Sequence, residues 1–232
     1  MTDVAANVAR VRERIAAAAR RSGRRADDVT LVAVTKGVAL PRILAAGTCG
    51  VTDFGENRVQ EAVPKITTLR AQGLSTARYH MVGHLQRNKV RGAVQIFEVV
   101  HSVDSAALAA ALSQRAAASG RIVDVLLQVN VAQEPQKFGL APEALPSMLR
   151  EIVGLPALRV IGLMTIAPQA DDAGRVRPVF RRLRELRDGM ARTGVAPLLV
   201  HLSMGMSDDF EIAVEEGATI VRIGRAIFGP RA

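Results

Sequence analysis

Eight short apolar runs alternate with helical patterns along the chain, and this alternation limits the possible folds more than any other property of the sequence. The runs are 31–35, 51–54, 78–82, 96–101, 122–130, 159–164, 198–202 and 219–223. They are rich in Val, Ile and Leu and poor in charge, as buried strands are. Between them, apolar residues recur at helical spacing around 41–46, 58–71, 86–94, 104–118, 142–152, 175–192 and 208–216. One further helix precedes the first strand, from Asp3 to about Arg20, with Asp3 as N-cap and Val4, Val8, Val11 and Ile15 as its buried stripe. No Pro/Ser-rich linker or low-complexity tract divides the 232 residues, so one domain over 1–232 is expected. Strand–helix repetition builds either a (β/α)8 barrel or a doubly wound open sheet. Polar and glycine residues gather just after the runs: Lys36-Gly37, Gly55-Glu56-Asn57, Gly83-His84, His101-Ser102, Asn130, Met164-Thr165, Ser203-Met204-Gly205 and Gly224-Arg225. A barrel brings all of these to its C-terminal rim, where such folds keep their chemistry, and this favours the barrel.

The net charge of +9 raises nucleic acid as a partner. The positive residues are spread, however, and densest at 175–192. There Val176, Phe180, Leu183, Leu186 and Met190 form an apolar stripe. Arg181, Arg182, Arg184 and Arg187 lie largely off it and read as a solvated face, diluted by Glu185 and Asp188. Aromatics make up 3% with no Trp, which argues against a stacking platform for single strands. No apolar stretch reaches the length of a membrane span. Charges at Arg10, Arg12, Glu13 and Arg14 argue against a secretory signal. Cys49 is the only cysteine, so no internal disulfide is possible. A cytoplasmic monomer with neither nucleic-acid nor membrane partners is the expectation.

Lys36 ends the first apolar run, just before Gly37. The chain has four lysines (36, 65, 89 and 137) against 27 arginines, so where only positive charge is wanted it writes Arg. A lysine kept in an apolar setting points to a use for the amine itself. A guanidinium does not lose its proton in a protein, whereas a partly buried ammonium is readily neutralised and then attacks aldehydes. The competing reading is a lysine that ends a strand and snorkels to water.

The segment from His201 to Asp209 joins the seventh strand to a helix, with Ser207 or Asp208 suited to its N-cap and Gly217 to its end. Loops after strands seven and eight are the usual phosphate site of such barrels. In the eighth strand Arg222 shares the face of Ile220 by the two-residue period. A guanidinium buried there needs acceptors, from a carboxylate such as Glu56 or Asp209 or from a ligand. Asn57, after the second strand, either caps the following helix or reaches over the rim. His80 and His84 straddle Gly83 and do not share a helix face, which argues against a metal pair.

Six segments together resemble one family. They are 32–36 (VAVTK), 54–61 (FGENRVQE), 80–89 (HMVGHLQRNK), 162–166 (GLMTI), 202–209 (LSMGMSDD) and 221–229 (VRIGRAIFG), in the family's order from end to end. The sequence is similar to the pyridoxal phosphate homeostasis proteins, the YggS/PROSC family. The resemblance implies a barrel like the N-terminal domain of alanine racemase. It also implies pyridoxal 5′-phosphate as cofactor, carried by Lys36 as an internal aldimine, with Asn57 near the ring and Arg222 facing the pyridine nitrogen. Ser203, Met206, Gly224 and residue 225 would surround the phosphate. Many members carry Thr where this chain has Arg225, and an arginine there would replace a hydroxyl contact by a charge-assisted one. The implied role is to hold the cofactor and influence its pools, with PLP-dependent apoenzymes as recipients and no established catalysis. The alternative is a PLP-dependent amino-acid racemase. Racemases of that fold take a second base, a tyrosine, from an added C-terminal domain; this sequence ends at Ala232 and its only tyrosine is Tyr79, inside a predicted strand.

Overall fold

The structure, a computed structural model, describes residues 3–168 and 173–230. Eight strands close into a barrel in chain order. They are β1 (Thr30–Val34), β2 (Asp53–Glu56), β3 (Arg78–Met81), β4 (Val99–Val103), β5 (Val123–Gln128), β6 (Leu158–Met164), β7 (His201–Ser203) and β8 (Ile220–Ile223). All pairs are parallel, and closure is made where Thr30 to Ala33 of β1 meet Ile220 to Ile223 of β8. That pairing excludes the open sheet. Among the described residues the helices are α1 (Val4–Arg21), α2 (Leu40–Thr48), α3 (Val59–Ala71), α4 (Val90–Ile96), α5 (Ala106–Ala118), α6 (Leu145–Ile152), α7 (Ala173–Arg192), α8 (Phe210–Glu215) and α9 (Arg225–Phe228).

Several strand boundaries differ from the sequence expectation. β2 is displaced to Asp53–Glu56. Ile96 is helical, the last residue of α4, and β4 begins at Val99. Leu198 and Val200 precede β7 and are 51% and 54% exposed, and Ile122 precedes β5 at 61%. An apolar run shows what can be buried, but a ladder begins only where a neighbouring strand stands in register.

α1 ties the two ends of the barrel together. Asp3 caps it, its carboxylate accepting from the Ala5 and Ala6 amides at 2.9 and 3.2 Å. Its buried stripe packs against α2, α8 and α9. Polar contacts fix its register: Asn7 Nδ2 donates to the Ile227 carbonyl at 2.9 Å, and Arg12 donates to the Cys49 and Gly50 carbonyls at 2.8 and 2.6 Å. The arginines of α7 prove to be more than a solvated face. Arg177, Arg181 and Arg184 converge on Glu216 at 3.0, 3.3 and 3.3 Å. Burial pushes the Glu216 carboxyl up, but the arginines hold it below its ordinary value, so α7 is clasped to the end of α8 by an ionised network.

Two kinds of side chain fill the barrel. Val32, Val82, Val99, Leu126, Met164 and Ile220 form an apolar cluster. A polar column runs beside it, made of Asp53, His80, His101, Ser203 and Arg222, all buried. The alternation of each strand puts both kinds inward: Val99 and His101 on β4, Ile220 and Arg222 on β8.

Candidate functional site

A cavity of about 800 Å³ opens at the C-terminal mouth of the barrel. It is lined by Val34, Asn57 and Val82, by Met206 to Asp209, and by Arg222, Gly224 and Arg225.

Arg222 is the buried charge of this cavity. Its two terminal nitrogens donate to Ser203 Oγ at 2.7 Å and to the Thr165 carbonyl at 3.0 Å. Neither carboxylate considered from the sequence pairs with it. Glu56 Oε1 instead accepts from Thr35 Oγ1 at 2.6 Å and from Lys65 Nζ at 2.7 Å. Asp209 Oδ1 accepts from the Met206 amide at 2.6 Å and reaches Arg222 only through its field. Burial brings the Arg222 guanidinium down to about 10, which still leaves it charged at neutral pH. A buried cation satisfied by a hydroxyl and a carbonyl alone is costly, and it presents its remaining donors to the cavity.

Asn57 does not cap α3; Arg58 holds that position without a side-chain cap. Its Oδ1 is buried on the cavity wall with no hydrogen-bond partner among the described residues. The close approach of Gly83 makes room for it, since a Cβ at residue 83 would stand 2.4 Å from the Asn57 carbonyl oxygen. The α8 cap also differs from expectation. Asp209 occupies the N-cap position, while Ser207 Oγ accepts from the Ala226 amide at 3.2 Å and links the two rim loops. Gly205, at φ +95°, makes the turn after β7 and lends its carbonyl to the Arg222 amide at 2.9 Å. Arg225 forms an ion pair with Asp208 at the exposed edge.

Lys36 sits half-buried in the turn after β1 and is not part of the cavity lining. It follows Val32 and Val34 in the inward series of that strand. The turn before it is braced, because Lys65 Nζ bonds both the Thr35 carbonyl, at 2.9 Å, and Glu56. Lys65 and Lys137 are held in ion pairs, at 2.7 and 2.5 Å. Lys36 Nζ has no partner among the described residues. The Ser203 side chain is buried, its hydroxyl taken by Arg222 and His101. Met206, Gly224 and Arg225 are all on the wall. Tyr79 packs outward against Phe54, and its hydroxyl donates to the Leu74 carbonyl at 3.1 Å, away from the cavity. His80 lies inside the barrel, whereas His84 stacks on Phe138 at 3.8 Å.

Sequence reading missed Asp53, His80 and His101 as a connected set, and Ser207 as a rim link. The signal was present for the column. Asp53, His80, His101, Ser203 and Arg222 stand at inward positions once barrel parity is assigned.

A closed parallel barrel with its cavity at the C-terminal mouth defines a class, and the family model of that class matches. It is the alanine racemase N-terminal domain, over residues 6–232. The chain is 44% identical over 225 residues to a pyridoxal phosphate homeostasis protein of Aquifex aeolicus, covering 97% of this chain and 96% of that one. It is similar to PipY of Synechococcus elongatus, solved with PLP bound, at TM-score 0.82 and 37% identity over 94% of this chain and all of that one. The chain belongs to the pyridoxal phosphate homeostasis protein family. An alanine racemase of Clostridium difficile, at 15% identity and TM-score 0.76 over 98% of this chain and 56% of that one, shares the fold alone.

Proposed function

We propose that this chain binds pyridoxal 5′-phosphate at the C-terminal mouth of the barrel, covalently through Lys36, and holds it for intracellular homeostasis without turnover of its own. The observation that carries the reading is Arg222: a buried, charged guanidinium without a carboxylate partner, turned toward a rim cavity. The unpartnered Asn57 Oδ1, which lines the same cavity, fits a polar ligand as well. When bound, the cofactor supplies an aldehyde to an amine and an electron-withdrawing ring. Lys36 Nζ would hold the aldehyde carbon, since it follows Val32 and Val34 on the inward side of β1 and has no ion pair among the described residues. Asn57 packs beside the ring. Arg222 would face the pyridine nitrogen and, being positive at neutral pH, would disfavour a proton there. An unprotonated ring withdraws electrons poorly, which suits a carrier better than a catalyst. Met206, Ser207, Gly224 and Arg225 take the phosphate, and Ser203 holds Arg222 from below. Residues 1–232 act as one cofactor-binding unit, monomeric and cytoplasmic, with PLP-dependent apoenzymes as recipients.

Borohydride reduction of the PLP-loaded protein followed by peptide mass mapping tests this. The pyridoxyl group is expected on Lys36. Recovery only on Lys65, Lys89 or Lys137 would refute the site, and wild type that takes up no PLP would refute the reading.

A further inference from the structure

The cavity gives Arg222 a use but leaves three buried polar side chains below it without one. Asp53, His80 and His101 are 7%, 1% and 0% exposed, deep in the barrel. Each touches the next. Arg222 lies 2.7 Å from Ser203 Oγ, Ser203 Oγ 2.8 Å from His101 Nδ1, His101 Nε2 2.9 Å from His80 Nδ1, and His80 Nε2 2.9 Å from Asp53 Oδ1. One row of four hydrogen bonds crosses the barrel interior from β8 to β2.

With both imidazoles neutral, the chemistry of the two ends fixes every proton between them. Arg222 only donates. Burial pushes the Asp53 carboxyl up, but hydrogen bonds from His80 and Thr52 hold it net below its ordinary value, so as a carboxylate it only accepts. His80 must then carry its proton on Nε2, leaving Nδ1 bare. His101 must donate to that bare nitrogen from its own Nε2. The bare Nδ1 of His101 must accept the Ser203 proton, and the Ser203 oxygen accepts from Arg222. No other arrangement with neutral imidazoles makes all four bonds. Neutrality is itself enforced at His101, where burial and the positive charges around it push the imidazole well below its ordinary value.

We propose that Asp53, His80 and His101 are positioning residues for Arg222: a one-way hydrogen-bonded column links the guanidinium to its distant carboxylate and aims it at the cavity. The column stands in for the direct carboxylate partner that Arg222 lacks. Its role toward the cofactor rests on the proposed function, whereas its direction is a property of the protein alone.

Two measurements separate these. Long-range proton–nitrogen NMR correlations on cofactor-free, histidine-labelled protein at neutral pH read the tautomers. Both His80 and His101 are expected as neutral Nε2–H forms. An Nδ1–H form or an imidazolium at either residue overturns the column, whatever the protein does with PLP. The second measurement loads nitrogen-labelled PLP and follows the pyridine nitrogen resonance in wild type and His101→Phe. The variant keeps the ring volume and removes both central bonds. The resonance is expected to shift toward the protonated position, with affinity weakened about tenfold, as for one lost hydrogen bond. A folded His101→Phe protein with the wild-type resonance and affinity overturns the positioning role. Should that variant not fold, Ser203→Ala breaks the column at its Arg222 end and is judged by the same two readouts.

Discussion

Arg225 lines the cavity at its exposed edge, and its pairing gives it a specific consequence. Its guanidinium is 59% exposed and already paired with Asp208, which is 70% exposed. Such a surface pair contributes only about 0–1 kcal/mol. In the proposed site it is therefore easily exchanged for a dianionic phosphate, where charge-assisted bonds contribute about 1.5–3 kcal/mol. Arg225→Thr should leave the melting temperature nearly unchanged. It should weaken PLP by roughly tenfold or more while leaving pyridoxal, which has no phosphate, unaffected. Calorimetric titration with both vitamers decides the matter. An equal loss for the two would show that Arg225 acts on the wall in general and not on the phosphate.

At the scale of elements, the loop after β7 carries more than its length suggests. Gly205 adopts φ +95°, and a Cβ there would stand 2.6 Å from Ala213 Cβ and 2.9 Å from Phe210 Cα. Its carbonyl also holds the amide of Arg222. Gly205→Ala should therefore cost about 2 kcal/mol or more and weaken PLP binding as the cavity wall shifts. Urea unfolding together with a PLP titration checks both; unchanged stability would mean that the loop relaxes without moving α8. The alternation of strands and helices was legible in the sequence because each strand buries both faces and each helix one, so the apolar runs differ in period. Strand starts were less legible. Ile122, Leu198 and Val200 look like strand residues yet stand exposed just before β5 and β7. The rim was legible at Arg222 and Asn57 through parity and position. The partners of Arg222 were not: Glu56 looked available, but Lys65 and Thr35 claim it, and only three-dimensional proximity shows that.

The polar column makes the stability of the whole molecule depend on pH in a definable window. His101 is fully buried, and burial, His80 and Arg222 all push its imidazole well below the ordinary value. As pH falls through about 6.5 the unfolded chain takes up a proton there that the native state refuses. Unfolding then binds protons, so stability must fall with pH, by about 1 kcal/mol from His101 at one unit below 6.5. His201 is lowered as well, chiefly by burial, and works in the same direction. The carboxylates act lower. Asp53 is held below 3.8 and loses its contribution only as pH falls through that range, while burial raises Asp209 above 3.8. Between pH 7.5 and 5.5 the histidines should therefore dominate, and the urea midpoint should drop with the slope of the transition unchanged. A competing cause is the net charge of +9, which grows in acid and repels itself. Salt separates the two. Repulsion among surface charges is screened at 0.1 M, where the Debye length is about 10 Å, whereas refusal of a proton by a dry imidazole is not. The drop should thus persist at high ionic strength. A midpoint that stays constant between the two pH values, or a drop abolished by salt, would show that His101 takes up its proton in the native state and that the column is not closed.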